Sequence, residues 1–161
     1  MKLRPLHQED VHGLLEWMHD EAVYKQFKQA FETFTRTDVL KFIQTGSNEH
    51  NHHFAVVDED DVYLGTVSLK NIDYITKTAE FAIVIRRSAW GRGGGSYAIN
   101  SILKHAKVLG LESVYLRVLD QNSLAVHLYE KFKFKHCPDR DESILLRGNQ
   151  LTNRYYIHEL E

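Results

Sequence analysis

The chain has 161 residues, of which 43% are hydrophobic and 26% charged, so it can bury an ordinary core as one domain over residues 1–161. A formal net charge of −2 argues against a nucleic-acid partner bound through its phosphates. Cys137 has no second cysteine to pair with, and the longest apolar run, residues 81–85, is far shorter than the roughly 20 residues of a membrane span. We therefore expect a cytoplasmic protein with no membrane segment.

The first half of the chain predicts one strand, two helices and three further strands. A short strand covers residues 2–5, and apolar residues at helical spacing predict a helix within residues 7–20. Thr35 or Thr37 offers an N-cap for a second helix, which Gly46 ends. Three segments rich in β-branched and aromatic residues follow, "HFAVV", "VYLGTVSLKNI" and "AEFAIVI". Their short connections indicate antiparallel pairing.

The second half alternates helices and strands. Apolar residues from Ala98 to Leu109 line one face of a helix that Gly110 ends, and "SVYLRV" predicts the next strand. Another helix covers "QNSLAVHLYEKF", and the tail predicts two strands around a "GNQ" turn. Because a strand, helix, strand unit makes a parallel pair, we predict an α+β fold with a mixed, mostly antiparallel sheet of about seven strands and about four helices.

A cluster of glycines separates the last strand of the first half from the helix that follows. Four of the nine glycines lie within residues 91–95. Glycine costs about 1 kcal/mol against alanine in a helix, so a cluster indicates an unusual backbone or a close ligand. Free N–H groups at a helix N-terminus suit a phosphate. We therefore predict an anion site that consists of Gly91, Arg92, Gly93, Gly94, Gly95 and Ser96. Arg86 and Arg87 are expected to add charge-assisted hydrogen bonds to the anion.

Other phosphate-binding loops fit these glycines less well. A P-loop needs a lysine followed by Ser or Thr, and "GRGGGSYA" has neither the lysine nor the spacing. A dinucleotide site needs G-x-G-x-x-G and an acidic residue further along the chain. Here Ser96 stands in place of the third glycine, and Asp120 is the candidate acidic residue. The single strand, helix, strand unit argues against that fold, although the alternative stays open.

Two segments resemble motifs of the GNAT superfamily of N-acetyltransferases. "FAIVIRRSAWGRGGGSYAINSIL" is similar to its acetyl-CoA pyrophosphate motif Q/R-x-x-G-x-G/A, with Gly93 and Gly95 in the glycine positions. Trp90 in the first position resembles the branch that contains ribosomal-protein N-terminal, polyamine and nucleotide-amino-sugar acetyltransferases. "DQNSLAVHLYEKFKF" resembles N-x-x-A-x-x-L-Y-x-K-x-G-F, although Lys133 stands where glycine is usual. With both motifs at family spacing, the chain is identified as a member.

The resemblance implies a GNAT-like fold that uses acetyl-CoA as its co-substrate. Its central strands, 79–85 and 113–118, would splay apart to admit the pantetheine arm. The glycine loop would hold the pyrophosphate, and a backbone N–H near Val84 or Ile85 would polarise the thioester carbonyl. Asn122 would cap its helix, bond the cofactor, or do both.

Direct attack by an amine needs an acid for the thiolate and a base for the amine. By the resemblance, Tyr129 is the acid, since its hydroxyl is protonated at neutral pH. Glu80 is a candidate base through water, although a solvated carboxylate or an ion pair explains it equally well. His127 and the "HNHH" histidines, His50, His52 and His53, are further candidates. Their spacing does not favour a metal site.

The acceptor stays open among an amino sugar, a polyamine and a protein N-terminus. By the resemblance, the N-terminal helices form one wall of its channel. Five aromatic residues there are available for stacking or for the core, namely Trp17, Tyr24, Phe27, Phe31 and Phe34. Four acidic residues are available to attract a cation, namely Glu16, Asp20, Glu21 and Glu32. A non-catalytic acyl-CoA-binding module is the rival interpretation, and the oligomeric state stays at monomer or homodimer.

Overall fold

The computed structural model describes residues 1–161 and has one eight-stranded sheet with five α-helices. The strands are β1 (Lys2–Pro5), β2 (His52–Val57), β3 (Tyr63–Asp73), β4 (Thr78–Ile85), β5 (Ser113–Leu119), β6 (Lys135–His136), β7 (Glu142–Leu146) and β8 (Asn149–Glu159). The helices are α1 (Val11–Met18), α2 (Glu21–Tyr24), α3 (Arg36–Thr45), α4 (Gly94–Val108) and α5 (Ser123–Lys131). None of them is both long and apolar enough to cross a bilayer.

The sheet has the order β1-β2-β3-β4-β5-β8-β6, and β7 pairs with β8 beside β6. Every neighbouring pair is antiparallel except β4 and β5, which are parallel. The predicted mixed α+β sheet with a central parallel pair is therefore confirmed. The counts differ by one strand and one helix, because β6 has two residues and α2 has four, too few to show a periodic pattern.

Helices cover the sheet on both faces and create two apolar cores. The first core lies between α4, α5 and the sheet and includes Ile102 and Phe81. The second lies between α1, α3 and strands β2 and β3 and includes Trp17, with Val84 of β4 packed against it. Because side chains alternate along a strand, Phe81 and Val84 face opposite sides of β4. The strand therefore separates the α4–α5 side from the α1–α3 side.

Several helix ends lie where the sequence predicts them. Thr35 caps α3, with its hydroxyl accepting from Asp38 N–H and the Asp38 carboxylate accepting from Thr35 N–H, and Gly46 is the C-cap. Gly110, with φ of 79°, follows α4 in a Schellman motif: its own N–H bonds the carbonyl of Lys107 and that of Leu111 bonds the carbonyl of Ala106.

The two parallel strands separate after three residues. Their register pairs Thr78 with Ser113, Ala79 with Val114 and Glu80 with Tyr115, and extends no further. Beyond that point β4 stays paired with β3 as far as Ile85, whereas β5 stays paired with β8 as far as Leu119. A wedge-shaped gap therefore opens between residues 81–85 and residues 116–119, which confirms the predicted splay.

Candidate active site

The glycine loop presents a row of free backbone donors at the start of α4. Gly91 and Gly93 have φ of 77° and 82°, values that residues with a side chain rarely adopt. None of the six N–H groups from Gly91 to Ser96 donates a hydrogen bond within the protein. A Cβ atom on Gly91 or Gly93 would meet nothing within 4 Å, so the loop faces open space. This arrangement fits a phosphate group, as the sequence predicts.

The three arginines near the loop bind carboxylates instead of lying free for phosphate. Arg86 donates from Nε to Glu16 at 2.6 Å and from Nη1 to the carbonyl of Tyr63 at 3.0 Å. Arg87 pairs with Asp20 at 2.9 Å. The expected help from Arg86 and Arg87 therefore has competition from two acids, Glu16 in α1 and Asp20 at the N-cap of α2.

Arg92 is the arginine that stays on the glycine loop. Its guanidinium lies 3.5 Å from Asp58, and its side chain is 48% exposed. Asp58 is only 12% exposed, but the contact is long and its arginine is half-exposed, so the Arg92 side chain can turn toward a phosphate at modest cost.

The hydrogen-bond pattern of β4 decides which of its amides face the gap. Arg86 N–H donates to Leu64 O, and Gly65 pairs with Ile85 in register. Because alternate residues of an antiparallel strand bond the same neighbour, Val84 points its N–H toward β3, whereas Ile85 points its N–H toward the gap. Of the two predicted donors, Ile85 therefore has the available amide.

Tyr129 lies where the two central strands begin to separate. Its ring packs edge to face on Phe81, the first β4 residue after the last parallel pair, with centroids 5.9 Å apart. The side chain as a whole is buried, and no hydrogen bond joins its hydroxyl to another residue. Burial raises the pKa of Tyr129, so the phenol stays protonated and available as a donor across the neutral range.

Asn122 occupies the N-cap position of α5, but its side chain makes no capping bond. The backbone carbonyl of Asn122 accepts from Val126 N–H at 3.0 Å, so the helix begins there without help from the amide. The side-chain amide is therefore left free for a ligand, which agrees with one of the two roles that the sequence offers.

Glu80 faces the α1–α3 side of the sheet, as strand alternation predicts. Its carboxylate accepts from Asn71 at 3.2 Å and from Arg117 at 3.4 Å, and its side chain is 16% exposed. Arg117 in turn lies over the rings of Tyr115 and Tyr155, which stack on each other. Both expected roles, ion pair and candidate base, are compatible with this position.

The histidines point to structural partners. His50 bonds Ile72 O at 2.8 Å, His53 bonds Ser68 Oγ at 2.6 Å, and His52 Nδ1 lies 2.9 Å from His105 Nε2. Burial, with Lys70 and His52 nearby, lowers the pKa of His53 to about 4. His127 is exposed on α5. None of these four histidines is hydrogen-bonded to Tyr129 or Glu80.

The N-terminal aromatics pack mainly on one another. Phe31 contacts Trp17, Phe27 and Phe34 edge to face, with ring centroids 4.9 to 5.7 Å apart. Tyr24 instead lies under the guanidinium of Arg147. The core interpretation therefore accounts for four of these rings.

Three of the four acidic residues that could attract a cationic acceptor already form ion pairs with arginines. Glu16 binds Arg86, Asp20 binds Arg87, and Glu32 binds Arg147 at 3.1 Å. Sequence reasoning missed Arg147, which lies 115 residues from Glu32, because no local pattern marks so distant a contact.

The comparisons with known proteins agree with this geometry. A model of the acetyltransferase (GNAT) domain matches residues 1–135. Spermidine N(1)-acetyltransferase of Vibrio cholerae is 33% identical over 81% of this chain and 76% of its own, and that of Escherichia coli K12 is 29% identical over 83% and 72%. A crystal structure of the Vibrio cholerae spermidine N-acetyltransferase with CoA and spermine has a TM-score of 0.89 at 24% identity, covering 99% of this chain and 95% of that one. The chain therefore belongs to the GNAT acetyltransferase family, as an acetyl-CoA-dependent N-acetyltransferase.

Proposed function

We propose that the protein acetylates a primary amine of a polyamine such as spermidine or spermine. The observation that carries this choice is the 33% identity, over most of both chains, to a protein named for spermidine. Among the three acceptors left open by the sequence, neither an amino sugar nor a protein N-terminus has comparable support. The whole chain, residues 1–161, acts in this proposal as one catalytic domain in the cytoplasm.

The proposed coenzyme site consists of the glycine loop, the gap and the start of α5. The free N–H groups of Gly91, Arg92, Gly93, Gly94, Gly95 and Ser96 bind the pyrophosphate. Arg92 adds a charge-assisted bond once it leaves Asp58. The pantetheine arm enters the gap between β4 and β5, where strand edges without partners can bond its amides. Asn122 binds this arm through its uncapped side chain.

Acetyl-CoA supplies a thioester, and the protein supplies the groups that stabilise its attack by an amine. The amine nitrogen forms a bond to the acetyl carbon, and the bond from carbon to sulfur breaks. Ile85 N–H donates to the carbonyl oxygen as negative charge develops there. Tyr129 gives its proton to the departing thiolate, and the proton of the amine passes through water to Glu80. The products are the acetylated amine and CoA with a free thiol.

Thiol release from acetyl-CoA tests the substrate choice directly. The purified protein is assayed with spermidine, spermine, glucosamine and a short peptide with a free N-terminus, each at saturating acetyl-CoA. We expect kcat/KM for a polyamine to exceed that for the other two classes by about a hundredfold or more, since differential transition-state binding sets specificity. A preference for the sugar or the peptide would overturn the polyamine proposal.

Thermal shift separates catalysis from mere binding. A ligand at about 100 times its dissociation constant stabilises a protein by roughly 2.7 kcal/mol. Stabilisation by acetyl-CoA without turnover on any amine would instead support a non-catalytic acyl-CoA-binding module.

A further inference from the structure

Residues 24–34, which we call the bridging segment, run from the last residue of α2 to the residue before the N-cap of α3. One side of the segment is fixed in the α1–α3 core, where Phe27, Phe31 and Phe34 pack around Trp17. Val84 of β4 packs against the same core. This side of the segment therefore packs on the same core as β4.

The other side of the segment is fixed by residues from beyond β5. Gln121, two residues after β5, donates from its side-chain amide to the carbonyl of Lys25 at 3.0 Å. Arg147, in the turn between β7 and β8, bonds the segment at several points. Because β4 lies on one edge of the gap and β5 on the other, the segment crosses the gap on the face opposite α4 and α5.

Arg147 uses its whole guanidinium for this contact. Nε and Nη2 donate to the two carboxylate oxygens of Glu32 at 3.1 and 3.4 Å. Nη1 donates to Phe27 O at 3.1 Å, and Nη2 also approaches Tyr24 O at 3.4 Å. The guanidinium carbon lies 5.4 Å from the ring centre of Tyr24. One planar group thus holds a carboxylate, two carbonyls and a ring, which a lysine ammonium cannot reproduce.

The electrostatics of the contact are consistent with an ordered pair. Both side chains are about 30% exposed, so water reaches them only partly. The hydrogen bond from Arg147 lowers the pKa of Glu32, and the carboxylate is therefore charged at neutral pH. Gln121 contributes one neutral hydrogen bond and Lys28 a long, exposed ion pair with Glu142 of β7 at 3.9 Å, which leaves Arg147 as the main anchor beyond β5.

We propose that Arg147 is a positioning residue that holds the bridging segment across the gap between β4 and β5 and thereby sets the affinity for the amine acceptor. This inference rests on the proposed function, since it takes the covered face of the gap as the acceptor side. The glycine loop leads into α4, which packs on the opposite face of the sheet. Loss of Arg147 therefore weakens acceptor binding and spares the coenzyme.

Steady-state kinetics of Arg147→Ala, Arg147→Lys and Arg36→Ala test the inference. Arg36 is an exposed arginine without an ion pair and serves as the matched control. For Arg147→Ala we expect KM for spermidine to rise about tenfold and KM for acetyl-CoA to change less than about twofold, because only the acceptor side loses order. Arg147→Lys keeps the charge without the fork and gives an intermediate rise. Arg36→Ala leaves both constants unchanged.

Equal changes in the two Michaelis constants, or none in either, would overturn the inference. Glu32→Gln provides a second arm: it keeps the acceptor oxygen but removes the charge, and we expect a rise in KM for spermidine of about threefold. Circular dichroism identifies a variant that fails to fold. If Arg147→Ala does not fold, the Michaelis constants of the milder Glu32→Gln test the inference.

Hydrogen exchange separates failure of this inference from failure of the proposed function. If the unmodified protein does not acetylate spermidine, the polyamine proposal fails, and the Michaelis constants are then measured with whichever amine it accepts. In either case we expect faster amide exchange in residues 24–34 of Arg147→Ala than in the unmodified protein. Unchanged exchange there would show that Arg147 does not hold the segment.

Discussion

The indole Nε1 of Trp90 donates a hydrogen bond of 2.9 Å to the carbonyl oxygen of Ile85. This contact joins the residue before the glycine loop to the last residue of β4. The N–H and C=O of one residue in a strand point the same way, so both groups of Ile85 face the gap. Trp90 therefore satisfies the carbonyl and leaves the amide free for the thioester.

Trp90→Phe should weaken the coenzyme site while keeping an aromatic ring at the position. Without the indole donor, Ile85 O loses its partner and the loop loses its connection to β4. We expect KM for acetyl-CoA to rise about fivefold, with a smaller fall in kcat, because a lost hydrogen bond is worth about 1 kcal/mol. Initial-rate kinetics at fixed spermidine measure both.

Trp17→Phe is the matched control for this experiment. Its indole donates to Tyr63 Oη at 2.9 Å inside the α1–α3 core, instead of to the β4 residue that Trp90 binds. The control should lower the free energy of unfolding and leave KM for acetyl-CoA unchanged. A similar rise in KM for both variants would contradict a specific role for Trp90.

Gly93→Ala should weaken acetyl-CoA binding by placing a methyl group on the surface proposed to face the pyrophosphate. Gly110→Ala is its control, because the two glycines have φ of 82° and 79°, flank the same helix, and have open space where the Cβ would stand. Each change should therefore cost about 1 kcal/mol of stability through backbone strain. Calorimetric titration should show a dissociation constant raised about tenfold for Gly93→Ala and unchanged for Gly110→Ala. Equal affinities would place the pyrophosphate elsewhere.

Tyr129→Phe should retain coenzyme binding and lose turnover. The ring contacts with Phe81 and Phe134 need no hydroxyl, whereas protonation of the thiolate does. We expect kcat to fall about 100-fold, the lower range for general acid catalysis, with KM for acetyl-CoA within about twofold. Tyr156→Phe is the control, since its buried hydroxyl accepts from Arg154 on the same sheet. Unchanged activity of Tyr129→Phe at saturating substrates would refute the acid role.

The sequence predicts those features that depend on local chemistry. Gly110 ends α4 and Thr35 caps α3, because caps are set by residues within one turn. The separation of β4 from β5 could be expected only from the resemblance of the two motifs to a family. The ion pairs of Arg86 and Arg87 with α1 and its flank could not be predicted, because they join residues about 70 positions apart.

Lys133 shows how a departure from a family motif can carry structural information. Glycine is usual at this position in the motif that the chain resembles, and Lys133 has φ of 68°. Its N–H bonds the carbonyl of Glu130, and that of Phe134 bonds the carbonyl of Tyr129, which is the Schellman arrangement also found after α4. The chain thus keeps the left-handed turn that ends α5 while placing a side chain in it.

Lys133→Gly should therefore stabilise the protein. A residue with a Cβ pays about 1 to 2 kcal/mol in the left-handed region, and glycine removes that strain. Glycine also increases the conformational entropy of the unfolded chain, which lowers the free energy of unfolding by about 0.4 to 1 kcal/mol and offsets part of the stabilisation. We expect the free energy of unfolding, measured by urea denaturation, to rise by about 0.5 kcal/mol. Lys104→Gly, at an exposed position inside α4, should instead lower it by about 1 kcal/mol. Destabilisation by both changes would mean that the Lys133 side chain contributes more than its backbone strain costs.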